Sequence, residues 1–518
     1  MSAASATPKL SQPMPNPVVV LCLVGGAFIQ ALDMTIANVA LPYMQGGLSA
    51  GRDQITWVVT SYVVASAVMT SPVGWLAARI GRKKFFIYAI IGFTLASVLC
   101  GIARSLEEMV IFRILQGGIG AALLPLSQSM ILDVYPAEKK SSAAALWGSG
   151  ILLGPVLGPT LGGVLTDYLN WRWVFFVNIP AGILVTLGVI FLYHEKKFDV
   201  RVPRFDAAGF ALLSIALGAL QLVLDRGTTE DWFNSAEIQI EAAIAALAFY
   251  LFIVHSMTTK NPFIPFHLFA DANLMAGLIA MTAVGMFIFT SMTLFPPYLQ
   301  LLSGYTVTET GLLMGPRGVA TIVSIQLAAR YLQKVDPRWC MLAATASMAY
   351  SCWRMAQWTP DVSQGEMLLV NIFQGIGSGL FFGPINLRAF ATLAESDRTN
   401  ASMLLALVRN IGGGIGVSVS ASYLAYSVQQ AHANLAESVT PFNRALQHGA
   451  AGMMWNPNIP FGLEALNRTV ERQAVIIAYS HDFMLLLTSC VLALFAIFLI
   501  RTPKSVPSAE PPQFHAMD

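Results

Sequence analysis

Among the charged residues that lie inside apolar runs, where charge is costly, three stand out. Asp33 sits in Leu32-Asp33-Met34-Thr35-Ile36-Ala37-Asn38, Arg113 opens a glycine-rich apolar stretch, and Glu241 falls about one turn inside another. An ionisable side chain within an apolar helix faces a bundle interior or a wet cavity and marks a functional position. A carboxyl group there can take up and release a proton. A guanidinium stays charged, so it biases a neighbouring acid without shuttling protons itself. Asp33 is therefore the first candidate proton carrier, Glu241 the next, and Arg113 the residue that tunes them. The alternative for Asp33 is a structural carboxylate bonded to a neighbouring helix. Asn38, Gln116, Arg317 and Arg409 are further polar side chains within apolar runs and are candidates for the lining of a substrate cavity. Arginines outnumber acids at such depths, which favours neutral or weakly acidic lipophilic substrates over cations.

No soluble chemistry competes with this reading. A phosphate-binding Gly-x-x-x-x-Gly-Lys-Ser/Thr loop is absent. The 7 histidines are scattered and form no metal-ligand cluster with Cys or Glu. No cofactor, metal site or enzymatic activity is expected. A formal net charge of +2 gives no reason to expect a nucleic-acid partner. Cys22, Cys100, Cys340, Cys352 and Cys490 all lie in apolar runs and read as buried thiols.

The elements that must position these residues are membrane spans. Hydrophobic residues make up 55% of the 518-residue chain and charged residues 11%, against about a quarter charged in soluble domains. A spanning helix needs about 20 apolar residues. Such runs occur at roughly 17–42, 54–77, 84–104, 107–131, 142–166, 173–193, 207–225, 236–257, 272–300, 308–330, 338–358, 365–391, 401–425 and 479–500. In lipid, runs of this length are helices, because the backbone must satisfy its own polar groups. The fold class is thus all-α and polytopic, with fourteen transmembrane helices expected.

With fourteen spans, all ten lysines (Lys9, Lys83, Lys84, Lys139, Lys140, Lys196, Lys197, Lys260, Lys334 and Lys504) fall on one face. By the positive-inside rule that face is cytoplasmic, which places both termini there. The expected organisation is a cytoplasmic tail (1–16), a six-helix half (17–193), a charged linker (194–206), an inserted helix pair (207–257), a second six-helix half (272–500) and a tail (501–518). Weak internal echoes support two related halves: Leu76-Ala77-Ala78-Arg79 with Leu327-Ala328-Ala329-Arg330, and Gln116-Gly117 with Gln374-Gly375. Repeated halves with a substrate site between them are a plan of secondary transporters.

Two further features carry expectations. Gly150, Gly154, Gly158 and Gly162 recur every four residues beside Pro155, Pro159 and Gly163. Small residues at that spacing allow close helix approach. The expectation is a pivoting contact between the two halves, with static packing as the alternative. The second feature is a long outward loop at 426–478. It holds Phe442, Trp455 and Phe461, three candidates for docking a partner, and a helix-like stretch near 461–477.

These residues together resemble the major facilitator superfamily, and within it the fourteen-helix drug:proton antiporters of the EmrB/QacA type. Gly74-Trp-Leu-Ala-Ala-Arg79-Ile-Gly81-Arg82-Lys83-Lys84 resembles the superfamily's loop signature. Arg113 with Gln116-Gly117-Gly118-Ile119-Gly120 resembles its proton-coupling motif. Gly154-x-x-x-Gly158-Pro159-x-x-Gly162-Gly163 resembles the antiporter motif, and the run from Leu32 to Pro42 resembles the first-helix motif of the fourteen-helix group. Leu224-Asp225-Arg226-Gly227 and Glu437-Ser438-Val439-x-Pro441-Phe442-Asn443 are similar to loops of the EmrB branch. The resemblance implies proton-coupled drug export across a Gram-negative inner membrane. It also implies a periplasmic adaptor of the EmrA type and an outer-membrane channel as partners. One departure stands out: the loop signature has Asp where this chain has Ala78, so Arg79 and Arg82 need other partners. A passive facilitator or symporter on the same fold, and a non-transporting scaffold or sensor, are the competing readings.

Overall fold

The computed structural model describes residues 16–51, 54–70, 72–136, 140–195, 205–227, 230–260, 262–331, 335–393, 397–437, 439, 455 and 460–500. Phe442, Lys9, Lys139, Lys196, Lys197, Lys334 and Lys504 lie outside the described residues. The described residues fold as helices and their connections, with no strand among them. In chain order the helices are α1 (Pro17–Gly47), α2 (Trp57–Thr70), α3 (Val73–Ile80), α4 (Arg82–Ile102), α5 (Leu106–Gly120) and α6 (Leu123–Val134). Next come α7 (Lys140–Tyr168), α8 (Trp173–Phe176), α9 (Asn178–Leu192), α10 (Ala207–Arg226) and α11 (Ala236–Thr258). The last six are α12 (Ala272–Pro297), α13 (Val307–Tyr331), α14 (Pro337–Met355), α15 (Gln364–Ala389), α16 (Arg398–Glu437) and α17 (Pro460–Leu499).

Helix occupies every one of the expected apolar runs. Among the described residues, eleven helical stretches are long and apolar enough to cross a membrane, or twelve if the bent pair α2–α3 is one span. The two remaining runs, α7 and α14, are helices of 29 and 19 residues that fall outside this criterion.

Two bundles carry the core. Apolar side chains of α1, α2, α4–α6, α8 and α9 pack into one cluster centred on Leu23, Ile36, Phe86, Phe93 and Phe175. A second cluster joins α12, α14–α17 around Phe287, Met341, Phe381 and Cys490. The inserted helices α10 and α11 pack on each other, and α10 also lies against α2 and α16. The bundles meet where α7 packs on α13, α2 on α16 and α1 on α12.

The glycine stripe of α7 corrects one expectation. A β-carbon at Gly154 would stand 2.7 Å from backbone atoms of Ala31 and Leu32, and one at Gly162 2.7 Å from the Ile36 carbonyl oxygen. At Gly158 it would meet Thr35, and at Gly150 Val24. The four-residue stripe is thus buried against α1 of its own bundle, not against the other half. The neighbouring face of α7 makes the contact between bundles: Gly163 backs onto Val307 and Thr308, and Gly311 of α13 onto Pro159. Spacing shows that a helix can be approached closely, but not which neighbour approaches it.

Helix enters the expected outward loop at 426–478 from both sides. The stretch near 461–477 is not a separate helix but the first part of α17, and α16 continues to Glu437. Each of these helices has 40 residues. At 1.5 Å per residue that is about 60 Å, twice the roughly 30 Å of hydrocarbon. Arg468 and Glu464, one turn apart, help continue α17 through its polar stretch. The pair is tied sideways by His432 Nε2 and Asn467 Oδ1 at 3.2 Å. Phe461 stands 79% exposed near the start of α17, and Trp455 is half-buried in a bend.

Candidate functional site

Asp33 lies at the centre of the α1 face that packs inside the first bundle and is fully buried. Its Oδ2 accepts from Arg113 Nη1 of α5 at 2.7 Å. Its Oδ1 accepts from Gln116 Nε2 of α5 and from Asn178 Nδ2 of α9, both at 2.9 Å. The same two amides donate to Ser97 Oγ of α4, at 2.6 and 3.0 Å. Arg113 Nη1 also reaches Gln116 Oε1 at 2.8 Å, and Arg113 Nε donates to the Val58 carbonyl of α2 at 2.9 Å. The guanidinium lies 4.2 Å from the Tyr62 ring centroid, with Phe175 5.6 Å away. Side chains of α1, α4, α5 and α9 therefore form one network around a buried carboxylate, with α2 and α8 packed against its arginine.

The local sequence explains this convergence. Arg113, Gln116 and Gly117 recur at a spacing that turns one face of α5 inward. Gly117 has no side chain, and a β-carbon there would clash with the backbone of Tyr62, so α2 and α5 can touch here. The small residues of α7 hold the opposite face of α1 just as closely. A buried ion pair is tolerated only when its remaining donors and acceptors are satisfied, and here the two amides and Ser97 supply those bonds. The result is one buried carboxylate held by a guanidinium and two amides, with a hydroxyl tying the amides together. No group of His, Cys, Asp and Glu among the described residues could hold a metal.

Of the proton-coupling candidates, the structure brings Asp33 and Arg113 together and leaves Glu241 apart. Glu241 of α11 joins Glu230 and Glu237 around Arg226, at 3.3 Å from its Nη1. Gln116, expected in a substrate cavity, instead belongs to the Asp33 network. Asn38 is buried one turn further along α1, where only the Met34 carbonyl, at 3.4 Å, meets its amide and its Oδ1 is unbonded. In the second bundle Arg317 of α13 is buried and donates from Nη2 to Ser291 Oγ at 3.0 Å, while its Nη1 has no partner. Arg409 of α16 lies 5.9 Å from the Phe382 ring centroid and 3.4 Å from Asn410 Oδ1.

The loop signature is satisfied without the missing Asp. Arg82 pairs with Asp133 of α6, and its backbone N–H donates to Glu195 Oε1 at 2.8 Å. Arg79 stacks over Trp75 at 5.1 Å. Gly81 between them has φ +94°, a backbone conformation that side chains other than glycine rarely adopt. Gly74 is exposed, and a β-carbon added there would meet nothing within 4 Å.

Sequence reasoning missed Ser97, Asn178 and Tyr62. Asn178 carried a signal, a lone amide in an otherwise apolar helix, whereas Ser97 and Tyr62 are ordinary residues in such helices. It also passed over Asp482 of α17, which is fully buried and accepts from Ser420 Oγ at 2.7 Å.

Two bundles of long apolar helices with charge buried inside are a plan of secondary transporters. The chain belongs to the Major Facilitator Superfamily, whose family model matches residues 23–417. It is 36% identical over 429 residues to the multidrug export protein EmrB of Escherichia coli K12, covering 82% of this chain and 83% of that one. It is also 36% identical over 502 residues to the fatty acid resistance protein FarB of Neisseria gonorrhoeae, covering 96% of both. A solved bacterial homologue of the human lysosomal transporter Spinster, in an inward-facing and unoccupied conformation, shares the fold. Its TM-score is 0.64 at 18% identity, covering 94% of this chain and 98% of that one.

Proposed function

We propose that this protein exports lipophilic compounds, neutral or weakly acidic, in exchange for protons. The observation that carries this reading is the buried Asp33–Arg113 pair with its amide and hydroxyl shell. A proton arriving at Asp33 removes the negative charge that Arg113 and both amides address. The network must then rearrange, and that couples protonation to helix position. The names of relatives, a multidrug export protein and a fatty acid resistance protein, support outward transport of lipophilic compounds. Arg317, with an unbonded Nη1, supports acceptance of acidic rather than cationic substrates.

The cycle is alternating access by rocking of the two bundles. Hydrogen bonds between the bundles lie at the end away from the lysines. Thr160 donates to the Gly311 carbonyl at 3.3 Å, Thr308 N to Asp167 at 2.8 Å, and Gln300 to the Val39 carbonyl at 2.9 Å. This fits a state closed outward and ready to load from the cytoplasm. A membrane potential supplies roughly 2.3 kcal/mol per charge per 100 mV. A tenfold gradient of neutral solute costs about 1.4 kcal/mol. One proton at about 100 mV thus sustains a gradient of roughly fiftyfold.

In this reading the protein is the inner-membrane component of a Gram-negative tripartite pump. It works with a periplasmic adaptor of the EmrA type and an outer-membrane channel, and the ends of α16 and α17 near Trp455 and Phe461 are the docking surface. The test is transport in proteoliposomes under an imposed pH gradient. Accumulation of a lipophilic weak acid that follows the gradient in wild type and is lost in Asp33→Asn supports the reading. Transport indifferent to the gradient identifies a passive facilitator instead.

A further inference from the structure

Asp225 closes α10, a helix outside both bundles, yet its side chain touches both. Thr60 Oγ1 of α2 donates to its Oδ2 at 3.0 Å. Ser418 Oγ of α16 donates to its Oδ1, which also accepts from Gln221 Nε2, one turn back on α10, at 2.9 Å. The Gln221 amide donates in addition to Ser418 Oγ, and Ser422 of α16 donates to the Leu224 carbonyl at 3.2 Å. Gly414 of α16 approaches both Val64 of α2 and Gln221 here. One carboxyl group therefore ties α2 of the first bundle to α16 of the second, at the end where the bundles are closed.

All three donors to Asp225 are neutral. Arg226, next in the chain, is turned to Glu230, Glu237 and Glu241. From α2 the titratable group is Tyr62, which lies under Arg113. From α16 come Tyr423, Tyr426 and His432, the last bonded to Asn467; Arg409 lies nine residues (409 to 418) before Ser418. From α11 come Glu237 and Glu241, held by Arg226, and His255, held by Asp206 at the other end of α10. No cation among the described residues pairs with Asp225.

From this geometry we infer that Asp225 is a second proton-binding site, distinct from Asp33, whose occupancy is linked to closure of α2 onto α16. Closing this end half-buries the carboxyl among neutral donors with no counter-charge, so closure favours the protonated form. Protonation in turn favours closure, because linkage is reciprocal. A neutral acid keeps the bridge, since its own O–H can donate to Thr60 or Ser418 while its carbonyl oxygen accepts from Gln221. The inserted helix pair then acts as a clasp that fastens the outer end after a proton arrives from outside. This rests on the alternating-access part of the proposed function, but the site itself needs no substrate.

The experiment is a distance measurement by double electron–electron resonance in lipid nanodiscs. Spin labels are placed at Gln54, beside α2, and Tyr426, on α16, in a background without native cysteines. In wild type the short-distance population is expected to rise severalfold as pH falls from about 8 to about 5. Asp225→Asn, which mimics the neutral acid, is expected to stay short at every pH. Thr60→Val, which removes one arm of the bridge, is expected to lower the short population throughout. A wild-type pH response retained in Asp225→Asn overturns the proposal, as does an Asp225→Asn protein that stays open at every pH or a Thr60→Val protein indistinguishable from wild type. Proton-driven transport is scored separately in proteoliposomes. Its absence would remove the antiport reading while leaving the distance response of Asp225 to be judged alone.

Discussion

Each bundle buries an arginine, and the two are treated differently. Arg113 in the first bundle meets Asp33, Gln116 and a backbone carbonyl, so it is bonded from three sides. Arg317 in the second bundle meets a single serine hydroxyl and leaves Nη1 unbonded. Among the described residues no carboxylate pairs with Arg317. The first bundle thus carries its own counter-charge, which a proton can cancel. The second carries a cation whose counter-charge the described residues do not supply. One architecture holds both, and in the proposed function the Asp33 pair of the first bundle takes the coupled proton while Arg317 of the second meets the transported molecule.

The largest expected effect breaks the paired arginine. Arg113→Ala leaves Asp33 buried without its cation, a change that costs about 3–5 kcal/mol where a buried pair loses one partner. The checking measurement is thermal unfolding in nanodiscs. Adding Asp33→Asn to Arg113→Ala should recover much of that loss, because neighbouring residues in one network are not additive. Full additivity would mean that the pair is not an energetic unit.

A smaller effect is expected at the unpaired arginine. Arg317→Gln removes a charge that has no partner to strand, so folding should change little. Transport of a lipophilic acid should fall on the order of tenfold, about the worth of one charge-assisted bond, while a neutral substrate of similar size is spared. Efflux of the two compounds from the same proteoliposomes checks this. Equal loss for both would show that Arg317 supports the fold rather than the choice of substrate.

The sequence made the fold class and the axis of the site legible because both rest on strong local signals. Long apolar runs can only be helices in lipid, and a lone Asp in such a run announces itself. What it left hidden depends on which neighbour each face meets. The period of Gly150, Gly154, Gly158 and Gly162 signalled close approach, yet the approaching helix is α1 and not the opposite bundle. Gln116 was read as cavity lining because a helix position alone does not reveal that Asp33 and Ser97 stand within 3 Å of it. Ser97 is a small neutral residue common in apolar helices, so only its place beside the two amides of the Asp33 network marks it, whereas Asn178 stands out as a lone amide. The polar start of α17 was legible as helix-like, with Glu464 and Arg468 spaced to continue it, but its charges interrupt the apolar run and hid its continuity with the span that follows. Asp225 was visible as the end of a helix, but the bridge it forms joins residues 60, 225 and 418 of the chain.

The measurement that tests the central claim most directly is proton release from purified protein when a lipophilic weak acid binds, with the probe's own titration subtracted. Wild type is compared with Asp33→Asn. The account predicts substrate-induced proton release from wild type and none from Asp33→Asn, although both bind. Equal release from the two proteins would contradict it and move the coupled proton away from Asp33.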